Sequence, residues 1–130
     1  MTKGKEMEKT ILVVDDDVSV RNTFEKVFLS AGYRVYCVES GEDALEILQQ
    51  GDIQVGFVDL NLPAMSGVDL CKRVREENML KIVYAVTGYM PLVQGSDFSE
   101  LLFDGCLTKP VDLSTLLTSA EKAFNSMSYC

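Results

Sequence analysis

The chain contains no histidine. That absence excludes histidine-based zinc sites and the Ser-His and Cys-His pairs of nucleophilic catalysis. It also means that the chain carries no phosphohistidine of its own. No apolar run approaches the ~20 residues that a membrane-spanning helix needs. The opening stretch, Met1 to Thr10, is charged and lacks the apolar core of a secretory signal. Cysteine is sparse, at Cys37, Cys71, Cys106 and Cys130, with no CxxC spacing. Reduced thiols in the cytoplasm fit that usage better than a disulfide framework does. Basic residues are also in deficit, 12 against 20 acidic, for a net charge of −8. Such a surface repels nucleic-acid phosphates, so neither direct nucleic-acid binding nor a membrane partner is expected.

What remains is an ordinary globular composition. With 130 residues, 47% of them hydrophobic, the chain can build one core and one domain. Short apolar runs alternate with helical patterns. Ile11 to Val14, Val35 to Val38, Ile53 to Val58, Ile82 to Val86 and Cys106 to Thr108 read as five strands. Continuous apolar runs of this length fit strands covered on both faces, as in a parallel sheet. Val20, Phe24, Val27, Phe28 and Ala31 share one helical face, and Gly32 stops that helix. Ala44, Leu45 and Leu48 mark a second helix, ending near Gly51, and Val68, Cys71 and Val74 a third. Met90-Pro91 and Gly95-Ser96 interrupt the fourth, which is expected from Asp97 to Phe103. Leu113, Leu116, Leu117, Ala120 and Phe124 form the stripe of the last helix, capped by Asp112. Strand and helix in alternation predict a doubly wound α/β sheet with right-handed crossovers. The boundaries read as a disordered leader over 1–9, one domain over 10–126 and a short tail over 127–130, with no further domain following.

The residues that end these strands carry the chemistry. The first strand runs into Asp15 and Asp16, the third into Asp59, the fourth into Thr87 and the fifth into Lys109. In a parallel sheet all five positions reach one edge, where ligands bind. Three carboxylates brought together repel, and a hard divalent cation relieves that repulsion. An oxygen-only donor set suits Mg²⁺ better than zinc or copper. A metal, an anionic nucleophile, a hydroxyl and an ammonium together suit phosphoryl transfer to a carboxylate.

At this point a family resemblance emerges. Val13-Val14-Asp15-Asp16, the run from Asp59-Leu60-Asn61-Leu62-Pro63 to Ser66-Gly67, Thr87-Gly88 and Lys109-Pro110 resemble response-regulator receiver domains of two-component signalling, of the chemotaxis-regulator type. The resemblance covers Thr10 to Phe124. It implies a flavodoxin-like (βα)5 fold with strand order 2-1-3-4-5. It implies Asp59 as phosphoacceptor, with Mg²⁺ held by Asp16, Asp59 and the backbone carbonyl of Asn61, and by Asp15 through a water. It further implies Thr87, Gly88 and Lys109 as the groups that bind the phosphoryl and switch, a cis bond before Pro110, and Asn61 and Tyr89 as modulators of dephosphorylation. Gly67 is expected to fit the turn into the third helix.

The implied partners are a sensor histidine kinase or phosphotransfer protein and a downstream protein target. A homodimer through the fourth helix, fifth strand and fifth helix is one further outcome. A relay intermediate and a receiver from a hybrid kinase are variants of this reading. Cys106 departs from the pattern, because many receivers carry Tyr or Phe there and a thiol is too small to serve as that aromatic toggle. The expected response is therefore a repositioning of the loop Gly88 to Gly95 and the short helix after it.

Blander readings apply to single residues. Asp17 reads as a solvated carboxylate at a helix start, and the methionines and most cysteines as packing. Two other functions compete. An aspartyl-phosphate phosphatase of the haloacid-dehalogenase type needs a second Asp two residues after the nucleophile, where Asn61 stands. A flavodoxin-like cofactor binder needs a phosphate loop after its first strand, where Asp15 to Asp17 would repel the ligand.

Overall fold

All five residues of β1 (Thr10–Val14) are buried, as are all five of β3 (Val55–Asp59). A strand buried throughout needs cover on both faces, because its side chains alternate between them. The computed structural model, which describes residues 8–88 and 103–127, supplies that cover with helices. Ile11 and Val13 point to one side and meet Phe24 and Phe28 of α1 (Val18–Ser30) and Leu116, Ala120 and Phe124 of α4 (Leu113–Ser126). Leu12 and Val14 point to the other side. There they join Ala44, Leu45 and Leu48 of α2 (Gly41–Leu48) and Leu70, Cys71 and Val74 of α3 (Gly67–Glu76).

The remaining strands are β2 (Arg34–Val38), β4 (Ile82–Thr87) and β5 (Gly105–Thr108). All five pair in parallel in the order β2-β1-β3-β4-β5, the order expected of a flavodoxin-like sheet. The chain leaves β1 for β2 on one side and returns to β3 on the other. The crevice above the ends of β1 and β3 is therefore where the strand order reverses.

Local chemistry sets the helix ends. Asp17, Ser40, Ser66 and Asp112 each accept a backbone N–H of the first helical turn, which satisfies otherwise unpaired donors. Gly32, at φ +95°, takes the chain out of α1.

Several expectations need correction. β2 is not buried on both faces. It is an edge strand with Arg34 and Tyr36 exposed. β3 starts at Val55, because Asp52 turns the chain with φ +71°; Ile53 is buried but precedes the strand. Ala31 caps α1 and is exposed instead of sharing its apolar face. Leu113 begins α4, where no neighbouring turn covers it, and is 50% exposed. Phe103 is buried but lies outside any helix. The rest of the helix expected from Asp97, and the loop beyond Gly88, lie outside the described residues.

Candidate functional site

The sheet register brings the chemistry-bearing residues together. Val14 pairs with Val58, so Asp15 and Asp59 are the next residues on adjacent strands. Asp59 pairs with Val86, which puts Thr87 one step further along β4. Thr87 pairs with Thr108, and Lys109 follows immediately on β5. Residues far apart in the chain thus reach a common rim because parallel strands end together. The Lys109 N–H donates to the Thr87 carbonyl at 2.8 Å, extending that link past the end of β5.

Carboxylate oxygens of Asp15, Asp16 and Asp59 lie within 4.8 Å of one another. Asp15 and Asp59 are buried, whereas Asp16 is exposed and opens the cluster to solvent. Lys109 Nζ stands 2.8 Å from Asp15 Oδ2 and 3.4 Å from Asp59 Oδ2. The other oxygen of each buried carboxylate accepts a backbone N–H two residues on. Asp17 donates to Asp15 Oδ1 at 2.9 Å, and Asn61 donates to Asp59 Oδ1 at 3.0 Å. These turns aim both carboxylates.

Electrostatics keep the site under tension. Burial raises the Asp59 carboxyl above its ordinary value, and the Asp15 charge adds to that. The Asn61 N–H and Lys109 act the other way without cancelling it. For Lys109, burial works against the ammonium, but Asp15 and Asp59 outweigh it and raise the lysine above its ordinary value. Three carboxylates and one ammonium leave net negative charge. Asp15 Oδ2 is buried, and among the described residues its close partner is the Lys109 ammonium at 2.8 Å. A cluster of hard oxygen ligands that keeps net negative charge after its one ammonium is counted fits a divalent cation.

Backbone packing fixes the loop after Asp59. Gly67 lies so close to this turn that an added Cβ would strike the Asp59 carbonyl oxygen and sit 2.7 Å from Leu60 Cα. Glycine is required there by space. Gly88 differs, since among the described residues a Cβ there would meet nothing nearer than Lys109 Cδ at 3.9 Å. The position is exposed and open beside the lysine stem. The Lys109–Pro110 peptide bond is cis. Asn61 is exposed on the loop beyond Asp59, and Tyr89 lies outside the described residues.

Comparison with known proteins now decides the family. Residues 11–121 match the family described as response regulator receiver domain. The chain belongs to that family. The receiver is 30% identical over 121 residues to sporulation initiation phosphotransferase F of Bacillus subtilis, covering 89% of this chain and 94% of that protein. It is 32% identical to the aerobic respiration control protein ArcA of Escherichia coli K12, over 85% of this chain and 46% of that one. It is 33% identical to the sensor histidine kinase RcsC of the same organism, over 89% of this chain but 13% of the kinase. Among solved structures it superposes on chemotaxis response regulator CheY4 of Vibrio cholerae with a TM-score of 0.81 at 26% identity, covering 89% of this chain and 98% of that one. Receivers of this family serve two-component signalling and typically use Mg²⁺ at their acidic site. No helix among the described residues is long and apolar enough to cross a membrane.

The sequence reading singled out the rim residues but passed over Arg21. Its Nη1 donates to the Asp15 carbonyl oxygen at 2.7 Å. No sequence signal marks it, because Arg21 stands past the first turn of α1 and its partner is a backbone carbonyl.

Proposed function

We propose that this receiver is the phosphoacceptor of a two-component phosphorelay. It takes a phosphoryl group onto Asp59 from a sensor histidine kinase or phosphotransfer protein, and in that state changes its affinity for a protein partner. One arrangement carries the reading: Asp59, buried at the strand-order switch, clusters with Asp15 and Asp16, and the Lys109 ammonium reaches into that cluster, 2.8 Å from Asp15 and 3.4 Å from Asp59.

The chemistry follows from that arrangement. An Asp59 carboxylate oxygen attacks the donor phosphorus, and the bond from phosphorus to the donor's leaving atom breaks with its electron pair. The product is an acyl phosphate. Burial and the Asp15 charge raise Asp59 above its ordinary value, and the Asn61 N–H and Lys109 favour the carboxylate that attacks. Lys109 supplies a fixed cation for a phosphoryl oxygen, and Thr87 a hydroxyl at the neighbouring strand end. Asp16, Asp59 and the Asn61 carbonyl would hold Mg²⁺, with Asp15 acting through a water. When bound, the ion supplies charge neutralisation that lets a carboxylate meet a phosphoryl anion.

Because Lys109 follows the Thr87–Thr108 pair directly, a change at the rim reaches β5 and, through Asp112, the start of α4. A protein target, a second copy included, reads the state there. The name of the Bacillus relative supports a relay intermediate as a variant of this role. The chain is not read as a turnover enzyme beyond slow hydrolysis of its own phosphate. Asn61, where a phosphatase of the dehalogenase type needs Asp, contributes its backbone N–H to Asp59. A cytoplasmic setting, where such kinases present their phosphohistidine, accords with this role.

Incubation with Mg²⁺ and acetyl phosphate, followed by mass spectrometry, tests the proposal. One added phosphoryl group, absent in Asp59→Asn, is expected. Phosphoryl mass that survives Asp59→Asn, or steady turnover of a small phosphate ester, overturns it.

A further inference from the structure

The β1–α1 turn presents two acidic residues from consecutive positions; beside the Lys109–Asp15 ion pair, hydrogen bonds hold its main chain. The Asp15 N–H donates to the Val38 carbonyl at 3.1 Å, and the Asp17 N–H closes onto Asp15 Oδ1. The Asp15 carbonyl, past the end of β1, is where the chain must reverse to bring Asp16 to the opening. Arg21 reaches back six residues from α1 and donates Nη1 to that carbonyl at 2.7 Å.

Two features make this contact more than incidental packing. A helical side chain leans back toward the helix start, and Arg21, one turn into α1, reaches the Asp15 carbonyl by that direction. The contact is a charge-assisted hydrogen bond, roughly twice as strong as a neutral pair. Arg21 is also anchored at its backbone. Its N–H makes the first helical bond of α1, to the Asp17 carbonyl at 3.1 Å, so the start of the helix fixes where the guanidinium begins its reach to the Asp15 carbonyl.

We infer that Arg21 is a positioning residue for the cation site, holding Asp15 and Asp16 in the orientation that receives the ion. This inference rests on the function proposed above. It makes a prediction of unusual sign. A nearby positive charge repels Mg²⁺, so electrostatics alone predicts that removing Arg21 tightens Mg²⁺ binding. If Arg21 acts by fixing the turn, its removal weakens Mg²⁺ binding instead, because the ion must then order its own ligands.

The test is isothermal titration of Mg²⁺ into wild type, Arg21→Met, Arg21→Lys and Asp16→Ala. Amide spectra of the metal-free proteins accompany it. Arg21→Met keeps an apolar stem of similar length, and the partly exposed site tolerates it. The expected result is a Kd raised about fivefold to tenfold in Arg21→Met and within about twofold of wild type in Arg21→Lys, which retains a cationic donor. Shifted or broadened Asp15, Asp16 and Asp17 amides in metal-free Arg21→Met, with the sheet amides unmoved, are expected alongside. An Arg21→Met Kd equal to or below that of wild type overturns the positioning role and leaves the proposed function standing. Absence of Mg²⁺ binding in wild type, or wild-type binding in Asp16→Ala, overturns the functional reading and this inference with it.

Discussion

Gly67, the first residue of α3, lies against the carbonyl oxygen of Asp59, with no space between them for a side-chain carbon. Its N–H donates to the Leu60 carbonyl at 3.1 Å, which draws the start of α3 onto the turn after Asp59. The acidic rim and the first turn of a core helix are therefore one mechanical unit.

Gly67→Ala is expected to destabilise the fold by about 1–3 kcal/mol, because the clash is with backbone and neither side can rotate away. Urea denaturation measures it. Phosphorylation by acetyl phosphate should also slow, since the Asp59 backbone must move to admit the methyl group. A stability within about 0.5 kcal/mol of wild type would show that the turn yields freely.

Asp59→Asn should raise the metal-free Tm at neutral pH by about 4 °C, the effect that ~1 kcal/mol has in a domain of this size. The sign follows from linkage. The folded Asp59 carboxyl is raised, mainly by burial, so the native state holds its proton more tightly than the unfolded chain does. Its contribution to stability is full below the unfolded value and is lost as pH rises through the folded one. The advantage of Asn over Asp should thus be absent in acid and open as the carboxylate ionises. Thermal melts from acid to neutral pH in chelator would show this. A gap that does not change with pH would contradict it.

Lys109→Ala should lower metal-free stability by about 1–3 kcal/mol, because buried Asp15 loses its ion-pair partner. The same variant should bind Mg²⁺ more tightly, on the order of tenfold, since the carboxylate cluster loses its internal cation. Calorimetry and melts with and without Mg²⁺ read both effects. Weaker Mg²⁺ binding would mean that Lys109 organises the carboxylates more than it competes for them. Lys109 and Arg21 differ in place: one cation sits among the carboxylate oxygens, the other on the backbone that carries them.

Much of this molecule is legible in its residues alone. Buried parallel strands announce themselves as unbroken apolar runs, as in Ile11 to Val14, because both faces must be covered. The chemistry of the rim is equally local in origin, since Asp, Thr and Lys at strand ends retain their chemical character wherever the sheet places them. The caps Asp17 and Asp112 also follow from short-range hydrogen bonding. Tertiary structure decided what depends on neighbours remote in sequence. It made β2 an edge strand, and it placed Lys109 closer to Asp15 than to Asp59. It also set the Gly67 requirement, which comes from the approach of two backbones and not from a dihedral angle. Arg21 belongs to that second class, because an arginine side chain shows its partner only once the turn it reaches has been folded in front of it.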